Sequence, residues 1–184
     1  MRYPAAETAE KHQRILDEAA KLFRERGFAG VSVSELMEAT GLTHGPFYNH
    51  FASKQELMEA SIEHASSKFL TELEATPPSE RGKAEYIATY LSTMHRDAPG
   101  AGCIIASLGP ECSREAGLRR ALTAHVRNLI SKFAGHFPWK SKRRARSQAI
   151  HDVAAMVGAI VLARGVTDDE LSEEILNEVR RHLG

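Results

Sequence analysis

The stretch LTHGPFYNHF, residues 42–51, places a Gly-Pro pair where a helix ought to stop, then runs on through two aromatic-rich turns that read as helix. Proline does no harm in the first turn of a helix. The N–H groups there have no internal partners, and the fixed φ of proline is already helical. With Thr43 as N-cap, Pro46 falls in that turn, so Gly-Pro opens a helix instead of closing one. At ~100° per residue, Phe47 and Phe51 share one face and Asn49 points nearly opposite. Gly45 and Pro46 lie beside Asn49, with Tyr48 and His50 on the flanks. One side is an apolar anchor. The other is a polar arc where Gly45, lacking a side chain, lets an outside surface approach the backbone.

The neighbouring residues give this helix a setting. Ile15, Leu16, Ala19, Leu22 and Phe23 recur at helical spacing and predict a helix over residues 8–26 that Gly27 ends. Ser32, with Glu35 three residues on, forms a capping box for a short helix through Leu36 and Met37, and Gly41 ends it. Ser53 with Glu56 opens a long helix over residues 53–75. Two short helices joined by a tight, glycine-containing turn form a helix-turn-helix pattern, whose second helix enters a major groove. Thr43 and the free N–H groups behind it suit a phosphate, and Lys54 adds a positive charge at the edge. Charge balance argues neither way, since residues 1–54 hold seven basic and seven acidic side chains. Short amphipathic helices between turns are also common in all-α proteins that bind no DNA, so residue chemistry alone leaves both readings open.

The chain has 184 residues, 42% of them hydrophobic and 26% charged, with a formal net charge of zero. That composition fits a globular protein and removes overall basicity as an argument for nucleic-acid binding. The stretch MRYPAAETAEKHQ has no apolar run, so no signal peptide is expected, and the longest apolar run, residues 153–163, is too short to span a bilayer. Two cysteines make no disulfide framework, so a cytoplasmic protein with reduced thiols is expected. No run alternates apolar and polar residues, which predicts an all-α fold of about nine helices. Beyond the loop TPPSERG, helices are expected over residues 79–98, 103–111, 114–137, 142–165 and 168–183, with APGAG as a break.

The segment AAKLFRERGFAGVSVSELMEATGLTHGPFYNHFASKQELMEA resembles the N-terminal DNA-binding module of TetR/AcrR-family transcriptional regulators. The likeness covers about residues 10–60 and rests on LFRERGF, SVSELMEATGLT and FYNHFASKQEL. It implies that Ser32 and Thr43 contact phosphates and that Tyr48, His50 and Lys54 also grip the DNA backbone. It places His44, Gly45 and Asn49 nearest the bases. Asn49 departs from the family pattern, where an aromatic residue or histidine is common; asparagine can read adenine through a bidentate pair. His44 replaces a frequent Lys or Arg, which weakens the non-specific component of binding. Less specifically, GAGCIIASLGPE and AAMVGAIVLARGVTDDELSEEIL resemble parts of the family's C-terminal bodies. Such bodies are helical, hold an effector pocket and dimerise through their last two long helices.

The residues of the body agree in part. Residues 153–163 are apolar all round and so are expected to be buried all round, with small residues that let a second helix come close. Leu171, Ile175, Val179 and Leu183 form one stripe on the last helix. A dimer interface is expected at Ala155, Gly158, Ala159, Leu162, Leu171, Ile175 and Val179; packing inside one subunit is the alternative. Pocket candidates are Phe69, Leu73, Tyr86, Tyr90, Met94, Cys103, Leu129, Phe133 and Met156, each of which also suits plain core packing. His125, His136 and His151 with Glu111 and Asp152 lack metal-motif spacing, so no metal or cofactor is expected. The basic run KSKRRAR, residues 140–146, reads as a solvated helix start.

Cys103 and Cys112 would lie ~13 Å apart on a continuous helix, beyond the ~7 Å that a disulfide tolerates. A first-turn position would favour the Cys103 thiolate, while its apolar neighbours argue for a packed thiol. Together with the resemblance, the sequence predicts a regulator, a repressor by expectation, and not an enzyme. Residues 1–52 are expected to bind a near-palindromic operator as a helix-turn-helix domain, and residues 53–184 to bind a small-molecule effector and a second subunit. No membrane partner is expected. The long helix from Ser53 is expected to couple the two parts. Alternatives are a redox or electrophile sensor acting through Cys103, and an enzyme or carrier built on the C-terminal pocket.

Overall fold

The computed structural model describes residues 5–42 and 47–184; among these residues there are ten α-helices, two 3-10 turns and no strand. α1 (Ala5–Arg26) buries Ile15, Ala19 and Phe23 and ends at Gly27. Gly27 has φ +74, a conformation glycine adopts without steric cost. α2 (Val33–Ala39) starts at Ser32. The Ser32 hydroxyl accepts from Glu35 N at 3.1 Å, and Glu35 Oε2 accepts from Ser32 N at 2.8 Å, the reciprocal pair of the expected capping box. The far end of α2 closes through Gly41 and Leu42, whose N–H groups return to the carbonyls of Glu38 and Met37 at 2.9 and 3.0 Å. α3 (Phe47–His50) follows, and α4 (Lys54–Ala75) begins at Ser53, whose hydroxyl accepts from Glu56 N at 3.1 Å. The expected cap Thr43 and the first-turn Pro46 lie outside the described residues.

The body differs from the sequence expectation at two places. Residues 79–98 form two helices, α5 (Glu80–Tyr90) and α6 (Thr93–Asp97), not one. Ser92 caps α6 by accepting from His95 N at 3.2 Å, and the His95 ring fixes the break. Its Nδ1 donates to Tyr90 O at 2.6 Å and its Nε2 accepts from Cys103 N at 3.0 Å. The neutral Nδ1–H tautomer satisfies both bonds, and burial holds the His95 pKa below its usual value. A 3-10 turn, Pro99–Ala101, stands where APGAG was expected to break the helix, and α7 (Ile104–Cys112) follows. α8 (Ala116–His136), a 3-10 turn (Lys142–Arg144), α9 (Ala145–Gly165) and α10 (Asp169–Leu183) complete the chain.

The second difference is in α9. Val153, Met156, Ala159, Ile160 and Ala163 are buried, but Ala154, Val161 and Leu162 are not, and Leu162 is 58% exposed. The helix is apolar all round without being buried all round, so part of its apolar surface faces outward.

Two buried clusters share the interior. The first joins α1, α2, Phe47 and Phe51 to Leu57 and Ile62 of α4, to Ile104, Leu108 and Cys112 of α7, and to Leu118 of α8. The second joins Leu73, Ile87, Tyr90, Leu129, Phe133, Met156, Ile160 and Leu176. Ile105 of α7 packs against both. The helix-turn-helix thus seats its core on α7 and α8 as well as on α4.

Candidate nucleic-acid interface and effector cavity

α3 owes its orientation to its two phenylalanines. Phe47 and Phe51 are 0% and 2% exposed, with ring centroids 5.9 Å apart. Burying two such side chains is worth several kcal/mol, which holds the opposite face in solvent. Tyr48 is 64% exposed on that face, and Asn49 is exposed beside it. His50 is half-buried, its ring 5.7 Å from that of His12, which itself stacks on Phe51 at 4.7 Å. Burial, helped by His12 and Lys11, lowers the His50 pKa, favouring a neutral imidazole. His44 and Gly45 lie outside the described residues, as does Thr43.

Two of the expected phosphate contacts already have internal work. The Ser32 hydroxyl belongs to the capping box and also donates to Glu35 Oε2 at 2.6 Å. That bond is the main reason the Glu35 carboxyl titrates below its usual range. Lys54 donates from Nζ to Phe28 O at 2.7 Å and is half-buried. Sequence spacing places Lys54 beside α3 but gives no sign that it reaches back across the module to the turn after α1.

In the body, Phe69, Tyr86, Tyr90, Met94 and Cys103 line a cavity of about 240 Å³. Leu73, Leu129, Phe133 and Met156, the remaining pocket candidates, are buried behind it in the second core and do not reach its surface. Glu72, His95 and Gly102 also line the cavity, and none of them announces itself in sequence. The cavity is aromatic: Tyr86 lies 6.3 Å from Phe69 and 6.5 Å from Tyr90, and Tyr90 is 4.5 Å from the His95 ring. The Tyr90 hydroxyl is fully buried and has no hydrogen-bond partner among the described residues. Burial, with Cys103 beside it, pushes its pKa up. With only the weak Cys103 thiol beside it, this hydroxyl is a ready donor for a ligand with an acceptor group. A wider cleft of about 630 Å³ between α1 and α4 shares Phe69, Glu72, Ala101 and Gly102 with this cavity.

Cys103 is buried and caps α7 through its backbone, just outside the first turn. Cys112 is wholly buried in the first core, and burial pushes its thiol up to about 11. Both cysteines are free. Lys142, Arg143 and Arg144 are exposed at the start of α9. The described residues hold no group of three or more His, Cys, Asp or Glu side chains placed to bind a metal.

The expected dimer residues divide between inside and outside. Leu162 and Leu171 are 58% and 42% exposed, and a Cβ built on Gly158 would meet nothing within 4 Å. Ala155, Ile175 and Val179 are half-buried. Ala159 is only 3% exposed and packs within the subunit's own core, because it sits on the α9 face that meets Met156, Ile160 and Ala163. The structure therefore turns Ala159 into the subunit's own core.

Comparison with known proteins gives the class. Residues 15–61 match the family described as "Bacterial regulatory proteins, tetR family". The chain is 32% identical over 96 residues to TtgW of Pseudomonas putida, an uncharacterized HTH-type transcriptional regulator, a match covering 51% of this chain and 70% of TtgW. It is 28% identical over 106 residues to the HTH-type transcriptional repressor DhaR of a Mycobacterium species, covering 55% of this chain and 52% of DhaR. The chain thus spans about half the length of some curated relatives it matches. Among solved structures, a TetR transcriptional regulator from Chloroflexus aurantiacus has a TM-score of 0.74 at 25% identity, covering 97% of this chain and 94% of that one. The reduced form of NemR from E. coli has a TM-score of 0.76 at 22% identity, covering 95% of each chain, a likeness of fold. The chain belongs to the TetR family of bacterial regulatory proteins. No helix among the described residues is long and apolar enough to cross a membrane.

Proposed function

We propose that the protein is a one-component transcriptional repressor that binds a near-palindromic operator as a homodimer and is released by a small-molecule effector. The observation that carries this reading is the division of α3, with Phe47 and Phe51 buried while Tyr48 and Asn49 face solvent. A helix of four residues has no stability of its own, so this face exists because the core holds it out. Asn49, with His44 and Gly45, reads base edges; Tyr48, His50, Lys54, Ser32 and Thr43 meet the backbone. The outward part of α9, with Gly158 and Leu162, and Leu171 of α10 meet a second copy about a twofold axis. The effector occupies the cavity at Tyr86, Tyr90 and Cys103 and binds the two states unequally, shifting the spacing of the recognition helices.

The test is selection of genomic fragments on the full-length protein, followed by mobility shift on the recovered duplexes. Near-palindromic sites with half-site centres ~34–36 Å apart, or a multiple, are expected. Recovery of no specific duplex would remove this reading and leave an enzyme or carrier built on the cavity. A second reading rests on Cys103, whose thiol lines the cavity beside Tyr90. If it senses oxidants or electrophiles, peroxide or a small quinone releases the operator from the parent and not from Cys103→Ser. Equal affinity before and after treatment of the parent ends that variant and leaves a non-covalent effector.

A further inference from the structure

The cavity and the helix-turn-helix are joined by more than α4. Gly102 and Cys103, which lie on the cavity wall, lead directly into α7. Towards its far end, α7 presents Glu111, whose Oε2 accepts from Phe28 N at 2.9 Å. Phe28 is the second residue of the turn that follows α1. Its carbonyl accepts from Lys54 Nζ at 2.7 Å. One peptide segment is thus held on its N–H side by the body and on its C=O side by the start of α4. The Glu111 carboxylate also lies against Gly27, where an added Cβ would stand 2.6 Å from its Oε1 and would have to displace it. On the other side of the same wall, Arg24 of α1 donates from Nε to Gly100 O at 2.9 Å, and its Nη2 donates to that carbonyl as well. Gly100 lies two residues before the cavity-lining Gly102.

The near end of α7 is also fixed to the cavity. Cys103 N donates to His95 Nε2, and Arg164 of α9 donates to the carbonyls of His95 and Arg96 and to Ser107 Oγ of α7. α7 spans ~13 Å at 1.5 Å per residue, with Ile105 and Leu108 packed along it in the core.

From these joints we infer that α7 is a second transmission element beside α4, and that Glu111 is the positioning residue through which cavity occupancy reaches the recognition helix. The inference rests on the effector reading of the cavity. A ligand that shifts the 102–103 wall pushes the first turn of α7. The helix passes the shift to Glu111, and the Glu111 carboxylate moves the Phe28 peptide together with Lys54 at the entrance of α4. Charge-assisted bonds are the stronger kind, so this joint transmits both push and pull. The Arg24–Gly100 joint carries the same displacement to α1.

The test is a double-mutant cycle in the full-length chain, with Cys103→Met extending a side chain into the cavity and Glu111→Ala freeing Phe28 N–H. Hydrogen exchange at the Phe28 amide is read without DNA, and affinity for the selected operator is read separately. Glu111→Ala is expected to speed Phe28 exchange by about tenfold or more, the scale of a lost bond to a charged acceptor. Cys103→Met is expected to speed it when Glu111 is present and to add nothing when it is absent, because coupled sites are non-additive. Effects of the two changes that multiply, or a Phe28 amide indifferent to Cys103→Met, would overturn the relay. If Glu111→Ala does not fold, Glu111→Gln takes its place in the cycle, keeping an acceptor oxygen without the charge. A response to Cys103→Met that shrinks in the Gln variant then counts for the relay, and a response of unchanged size counts against it. A protein that passes the exchange test and binds no duplex would overturn the operator reading while leaving the mechanical link standing.

Discussion

The outward faces of α3 and α9 are built the same way and mean different things. Each helix buries one side and is held open on the other. α3 presents Tyr48 and Asn49, side chains with hydrogen-bonding groups, around a short element fixed by Phe47 and Phe51. α9 presents Ala154, Gly158, Val161 and Leu162, side chains with none. A polar face on a rigid anchor suits a surface rich in donors and acceptors, such as a base-pair edge. An apolar face suits a dry contact with a second helix. What an exposed face lacks thus says as much about its partner as what it carries.

The sharpest way to break this comparison is to remove the anchor of one face and to charge the other. Phe47→Ala should cost ~3–5 kcal/mol, the range for deleting a fully buried aromatic side chain, read by denaturant unfolding, and should abolish duplex binding. Leu162→Arg should leave the subunit's helical content intact, since surface changes usually stay within ~0.5 kcal/mol, yet yield monomers by light scattering. A dimeric Leu162→Arg variant would place the interface elsewhere. Ala159→Arg should unfold the subunit instead, because its Cβ points into the core.

A smaller effect tests the seam between the two regions. His125 of α8 is buried against α4, with Nδ1 2.7 Å from the Ser66 hydroxyl and its ring 6.0 Å from that of Phe69. Burial lowers its pKa from the ordinary 6.5 to about 4. The unfolded chain therefore binds a proton that the folded chain refuses. At pH 7 both forms are neutral and nothing is lost. As pH falls from about 6.5 towards about 4, stability should drop by up to ~3 kcal/mol and then level off. His125→Gln should flatten that part of the profile; an unchanged slope would assign it to other groups.

The fold is most legible in the sequence where structure is set by neighbours in the chain. Both serine caps, the two glycine stops and the Phe47/Phe51 anchor follow from residues within four positions of one another. The break between α5 and α6 is not legible, because its cause, the His95 ring bridging Tyr90 O and Cys103 N, spans thirteen residues and a fold. Leu73, Leu129, Phe133 and Met156 read as pocket because an apolar residue looks the same whether it lines a space or fills one. Ala159 and Gly158 are adjacent small residues, and only the packing of α9 on its neighbours separates the inward one from the outward one.

Asn49 probes the polar face itself. Asn49→Ala should cost ~1–3 kcal/mol at one base position per half-site and little elsewhere, so that a repeated fragment selection returns a relaxed sequence logo. An unaltered logo would move base reading to other residues of the face.

The smallest expected effect separates two jobs held by one side chain. Lys54 donates to Phe28 O and is half-buried, but an ammonium has three N–H groups. If one of these meets a phosphate, Lys54→Ala removes one counterion-releasing contact. Affinity should then fall about equally for every duplex, and the slope of log affinity against log salt should fall by ~1. If Lys54 serves only the Phe28 joint, affinity falls through a misplaced recognition helix and the slope stays as it was. We expect the lower slope, and also faster exchange at Phe28, since losing the bond to Phe28 O loosens the segment whose N–H Glu111 holds. Lys54→Arg restores the charge while changing the reach and geometry of the donors. It should therefore recover the salt slope and only part of the Phe28 protection. An unchanged slope in Lys54→Ala beside lost Phe28 protection would mean that the charge acts through the joint alone.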